Sequence, residues 1–118
     1  MPTGQIEHAN LTVTEPERSA DLFKRLLGWH ERWSGKSQMG GNTIHVGDAN
    51  TYLALYTNEE AEGGHVKGQP LNHVGLVVDD LFAAEEVVVA AGLEPFGHDN
   101  YDPGERFYFL DWDGIEFE

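Results

Sequence analysis

Apolar and polar positions along the chain fall into short runs that change period twice, from strand-like to helix-like and back. Residues 6–13, IEHANLTV, are rich in strand formers and predict a first strand. Thr14-Glu15-Pro16-Glu17 then reads as a helix start. Thr14 is placed to cap, Glu17 follows three residues later as in a capping box, and proline is tolerated in a first turn. Ala20, Phe23, Leu26 and Leu27 form the apolar stripe, and Gly28 stands where a left-handed residue closes a helix. Further strands are expected near 29–33, 43–46 and 52–57, separated by turns containing glycine and asparagine. Residues 58–70, with charges, three glycines and a proline, read as a linker.

The pattern then restarts. LNHVGLVVDD, residues 71–80, repeats the first strand and its acidic cap, and residues 81–91 form a second helical stretch closed by Gly92. Strands near 95–98, 106–110 and 115–118 complete the copy. Residues 8–13 lie over residues 73–78 at a constant offset of 65, so His8 and His73 are equivalent. The expected fold class is α+β: two tandem βαβββ modules, about 5–57 and 71–118, forming an open, cleft-lined, barrel-like sheet. Neither copy is long enough to bury a sizeable core alone, which argues for one domain with a shared cleft.

Composition narrows the function. The 118 residues carry 21 acids against 7 bases, a formal net charge of −14, which disfavours a nucleic-acid or anionic-membrane surface. No apolar run reaches the roughly 20 residues of a membrane span. The absence of cysteine excludes disulfides, thiolate nucleophiles and cysteine zinc sites. A soluble cytoplasmic protein is the expectation. Residues 71–118 hold 12 acids and a single base, Arg106. That lone cation either binds a substrate carboxylate or phosphate, or pairs with Asp111, Asp113 or Glu105.

The paired βαβββ units, the His in each first strand, LLGW at the end of the first helix and the closing DWDGIEFE resemble the vicinal oxygen chelate superfamily. Its members include glyoxalase I, extradiol dioxygenases, fosfomycin-resistance enzymes and bleomycin-resistance proteins. The resemblance runs over essentially the whole chain; it is specific for the fold and open as to the reaction.

On that resemblance His8, His73 and Glu118 are the candidate ligands of a divalent metal (Fe, Mn, Zn, Ni or Co). Two imidazoles and a carboxylate suit such an ion and leave coordination positions open for substrate oxygens. Glu118 follows His73 by 45 residues; its counterpart, 46 residues after His8, is Ala54. The glyoxalase I pattern typically has a carboxylate there, so its loss leaves three ligands and argues against glyoxalase I activity. The extradiol signature has its nearest equivalents in His98, Phe107-Tyr108, Asp111, Gly114 and Glu118, with Trp112 in place of proline. It implies catalytic roles for Tyr108 and His98. Arg106 and Tyr56 are candidates for substrate binding, and Trp29, Trp33 and Tyr52 for the cleft wall. His30, His45 and His65 read as exposed or structural, and residues 111–114 as a turn.

The resulting expectation is a metal-dependent lyase, isomerase or dioxygenase that chelates a small oxygen-rich substrate and stabilises an oxyanion. A drug- or metabolite-sequestering binding protein is the alternative. A homodimer is implied by the resemblance alone.

Overall fold

The computed structural model describes residues 2–38, 40–101 and 104–118, with the side chain of Tyr101 excepted. The chain divides into two compact units, 1–62 and 63–118, here modules 1 and 2.

Module 1 comprises β1 (His8–Thr12), α1 (Pro16–Leu27), β2 (His30–Lys36), β3 (Asn42–Gly47) and β4 (Tyr52–Thr57). The sheet order is β1-β4-β3-β2, with β1 parallel to β4 and the other pairs antiparallel. Alternation along the strands sends Leu11, Ile44, Val46, Leu53 and Leu55 to one face, where they are buried with Ala20, Leu22 and Phe23 of α1. The other face carries His8, Asn10, Tyr52, Ala54, His45 and Trp33, as the register dictates: His8 beside Tyr52, Asn10 beside Ala54, His45 beside Ala54 and Trp33 beside His45.

Helix α1 starts later than the capping-box reading predicts. Pro16 takes its first position and Glu15 precedes it without a side-chain cap. The Thr14 hydroxyl instead accepts from Arg18 Nη2 at 3.3 Å. Gly28 closes the helix at φ 67°, and its N–H donates to the Lys24 carbonyl, so the left-handed ending is as expected.

Module 2 comprises α2 (Leu81–Ala90), β5 (Phe96–Tyr101), β6 (Gly104–Leu110) and β7 (Glu116–Phe117), with sheet order β5-β6-β7. Asp80 caps α2 by accepting from the Ala83 N–H. The core holds Ala84 and Val88 of α2 with Phe107, Phe109, Ile115 and Phe117. Phe109 and Phe117 stack at 5.4 Å.

The strand expected over 73–78 is reduced to a parallel bridge between Val74 and Phe117. β7 offers two residues to pair with, and three backbone hydrogen bonds tie the segment to it: Val74 N–H to Glu116, Glu118 N–H to Val74, and Leu76 N–H to Glu118. Asp111 makes the predicted turn, its carboxylate accepting from the N–H groups of Asp113 and Ile115 at 2.9 Å each. Among the described residues no helix is long and apolar enough to cross a membrane.

Candidate metal centre

In module 2 the pleat fixes the face. Phe107, Phe109 and Phe117 turn to the helix, so Arg106, Tyr108, Glu116 and Glu118 take the opposite face, and His73, next to Val74, joins them. His73 Nε2 lies 2.9 Å from Glu118 Oε1. Arg106 Nη1 donates to the other carboxylate oxygen at 2.6 Å, and its Nε and Nη2 donate to the Gly104 carbonyl. Both members of this ion pair are half-buried. Tyr108 meets the His73 ring edge to face at 5.9 Å and stacks on Phe96. Gly97 makes room for it: at φ 66° it is in a glycine conformation, and a Cβ there would come within 2.7 Å of the Tyr108 ring.

His73 Nδ1 is engaged from behind by Asn72 Oδ1 at 2.7 Å. With Nδ1–H donating, Nε2 and Glu118 Oε1 confront one another as acceptors across 2.9 Å. Only a proton or a cation reconciles them, so the donor chemistry of this pair fits a divalent ion. Glu116, also on this face, is bound to Lys67 at 2.9 Å.

Module 1 presents the equivalent histidine. His8 Nδ1 lies 3.0 Å from Glu7 Oε1. Tyr52 stacks flat on the His8 ring at 4.7 Å, donates to the same Glu7 carboxylate at 3.4 Å, and lies under Arg32. His45 stacks on the same tyrosine at 4.5 Å and meets the Trp33 ring at a tilt, 5.1 Å away. Burial, then the nearby His8 and Arg32 charges, push the His45 imidazole below its ordinary value, against the opposing pull of Glu7. Loss of water and the Glu7 carboxylate push the Tyr52 phenol up.

Within each module the histidine stands at a fixed register to the last strand. His8 pairs with Tyr52 and Asn10 with Ala54; the Val74–Phe117 bridge sets His73 beside Glu116 and Gly75 beside Glu118. Ala54 therefore holds in module 1 the place that Glu118 holds in module 2. By the same register His45 corresponds to Tyr108, and Trp33 to Phe96.

Three candidate residues have partners of their own. His98 does not join Tyr108: its Nε2 meets Glu85 of α2 at 2.5 Å and its ring lies on Phe107, on the helix side of the sheet. The register shift between Phe96 and Asp99 turns it there. Tyr56 spends its hydroxyl on the β2–β3 connection, donating to the Gly40 carbonyl at 3.1 Å and accepting from Asn58, a structural latch. Arg106 pairs with Glu118, so its fork is turned to a candidate ligand.

Glu7, Asn72 and Arg32 carry no role in the sequence reading, and His45 reads there as exposed or structural. The first two had a signal, since both precede a repeated histidine at the offset of 65. Among the described residues, no group of three or more His, Asp or Glu side chains is gathered as a metal cage.

Residues 5–118 match the family model described as the Glyoxalase/Bleomycin resistance protein/Dioxygenase superfamily. The chain belongs to this superfamily. Solved members of similar fold include a glyoxylase/bleomycin resistance protein/dioxygenase domain from Frankia sp. EAN1pec, at TM-score 0.84 and 20% identity, covering 98% of this chain and 95% of that one. FosX, a fosfomycin resistance protein from Mesorhizobium loti, gives TM-score 0.76 and 18% identity over 98% and 90% of the two chains. A FosX variant from Listeria monocytogenes, crystallised with Mn(II) and 1S,2S-dihydroxypropylphosphonic acid, gives 0.76 and 16% over 99% and 90%. At these identities the likeness is one of fold. No protein of curated function is matched by the sequence.

Proposed function

We propose that this superfamily member is a divalent-metal-dependent enzyme acting on a small oxygen-rich molecule, with His8, His73 and Glu118 as the metal ligands. The observation that carries the reading is the His73–Glu118 pair, two ligand-type atoms 2.9 Å apart with the carboxylate anchored from behind by Arg106. A bound divalent ion would supply Lewis acidity to neighbouring oxygens of a chelated substrate. Glu118, with one oxygen on Arg106, offers the other oxygen alone, which keeps the ligand count low and positions open for substrate. Ala54, a methyl group at the equivalent place, does the same for module 1. Tyr108, against the His73 ring, supplies a hydroxyl to orient a substrate oxygen. The site's partner is a small molecule; a homodimer and a cytoplasmic location belong to the same reading. The presence of Mn(II) in a FosX structure of the same fold is consistent with it.

The position of Tyr108 favours one second reading, ring cleavage of a catechol by an Fe(II) form. Oxygen uptake with catechols under Fe(II) separates the two: sustained uptake selects the dioxygenase, and none selects redox-neutral chemistry. The parent reading is tested by metal analysis of protein purified without a chelating resin and reloaded with Mn(II), Zn(II) or Ni(II). One tight equivalent is expected, and its absence with all three ions overturns it.

A further inference from the structure

Each candidate imidazole is held at Nδ1 by the side chain of the residue immediately before it. Glu7 Oε1 lies 3.0 Å from His8 Nδ1, and Asn72 Oδ1 lies 2.7 Å from His73 Nδ1. The two holders occupy equivalent repeat positions, 7 and 72, though one is an acid and the other an amide. We infer that Glu7 and Asn72 are positioning residues that keep His8 and His73 protonated at Nδ1 and so direct both Nε2 lone pairs to the metal. The inference rests on the metal-site reading above.

The holders are themselves fixed. The Glu7 carbonyl accepts from the Tyr52 N–H at 3.1 Å and from the Thr51 hydroxyl at 3.0 Å, and its carboxylate accepts from the Tyr52 hydroxyl. Tyr52 thus restrains His8 twice, by its ring against the imidazole face and through Glu7 at the imidazole edge. At His73, Tyr108 closes on the ring and Val74 is locked to β7 on both sides, which leaves the Asn72 oxygen in line with Nδ1. An imidazole free to flip or to change tautomer presents the wrong nitrogen or a proton for part of the time, and that fraction is lost directly from ligand affinity.

The test uses the full chain and two readouts, Zn(II) or Mn(II) affinity by chelator competition and 15N spectra of the imidazoles in the zinc-loaded protein. Glu7→Ala and Asn72→Ala are each expected to weaken metal binding about 10- to 100-fold. Glu7→Gln and Asn72→Asp, which keep an oxygen acceptor, are expected to recover most of that loss. In the wild type, both imidazoles are expected to carry the proton on Nδ1. Alanine variants that bind as tightly as the wild type, while His8→Ala and His73→Ala lose the ion, overturn the positioning role and leave the metal site standing. Protons found on Nε2 also overturn it. A wild type that binds neither ion overturns the parent reading and this inference together.

Discussion

Arg106 and Glu118 form a half-buried ion pair of 2.6 Å on the face of module 2 opposite α2, and the carboxylate's second oxygen faces His73. The sole cation of residues 71–118 is therefore used to aim a candidate ligand. A carboxylate so held is pre-oriented for an ion on one side and shielded by a guanidinium on the other.

Arg106→Met should cost about 1–3 kcal/mol of stability, because it leaves Glu118 half-buried without its counter-charge. It should also free the second oxygen of Glu118 for the ion. A lower melting temperature in the metal-free variant, recovered disproportionately on adding metal, is the expected result of paired thermal scans.

Phe117 is fully buried in stack with Phe109, and it lies between Glu116 and Glu118. Phe117→Ala should destabilise the protein by about 3–5 kcal/mol through the cavity it leaves. Urea unfolding measures that cost. The same variant should lose metal affinity, since the strand that places Glu118 is tied to the core by this ring.

Below pH 6.5, the ordinary value for histidine, stability should fall in a way that His45 accounts for. The imidazole's value is depressed in the folded protein, so between the two values the unfolded chain binds the proton and the native state does not. Stability therefore drops as pH decreases through that window and levels off beneath the folded value. A series of melting temperatures against pH checks it: His45→Gln should show a shallower decline than the wild type.

Ala54→Glu returns a carboxylate to the register place of Glu118. Ala54 is 2% exposed, so the change should lower thermal stability. It should tighten metal retention in dialysis and weaken binding of a bidentate hydroxamate by filling an open position. Unchanged hydroxamate binding would show that position 54 does not face the ion.

Much of the fold is legible in the residues themselves. Both helices announce their ends, α1 through Pro16 and Gly28, and α2 through Asp80 and Gly92, and the repeat offset brings out the register that equates Ala54 with Glu118. What escapes is decided by competition between neighbours. Thr14 could cap α1, but Arg18 takes its hydroxyl. The Asp111 carboxylate takes the N–H groups of the turn, and the pleat turns Arg106 toward Glu118. His98 falls nearly in line with the extradiol spacing, yet a register shift in β5 turns it to the helix side. Residues 71–78 carry strand formers but find a two-residue partner strand.

The central claim is that His8, His73 and Glu118 together hold one divalent ion, and elemental analysis after metal loading and dialysis tests it most directly. The wild type should retain one equivalent per chain, and folded His8→Ala, His73→Ala and Glu118→Ala variants should each retain far less. A full equivalent in any one of these variants, or none in the wild type, would contradict the account.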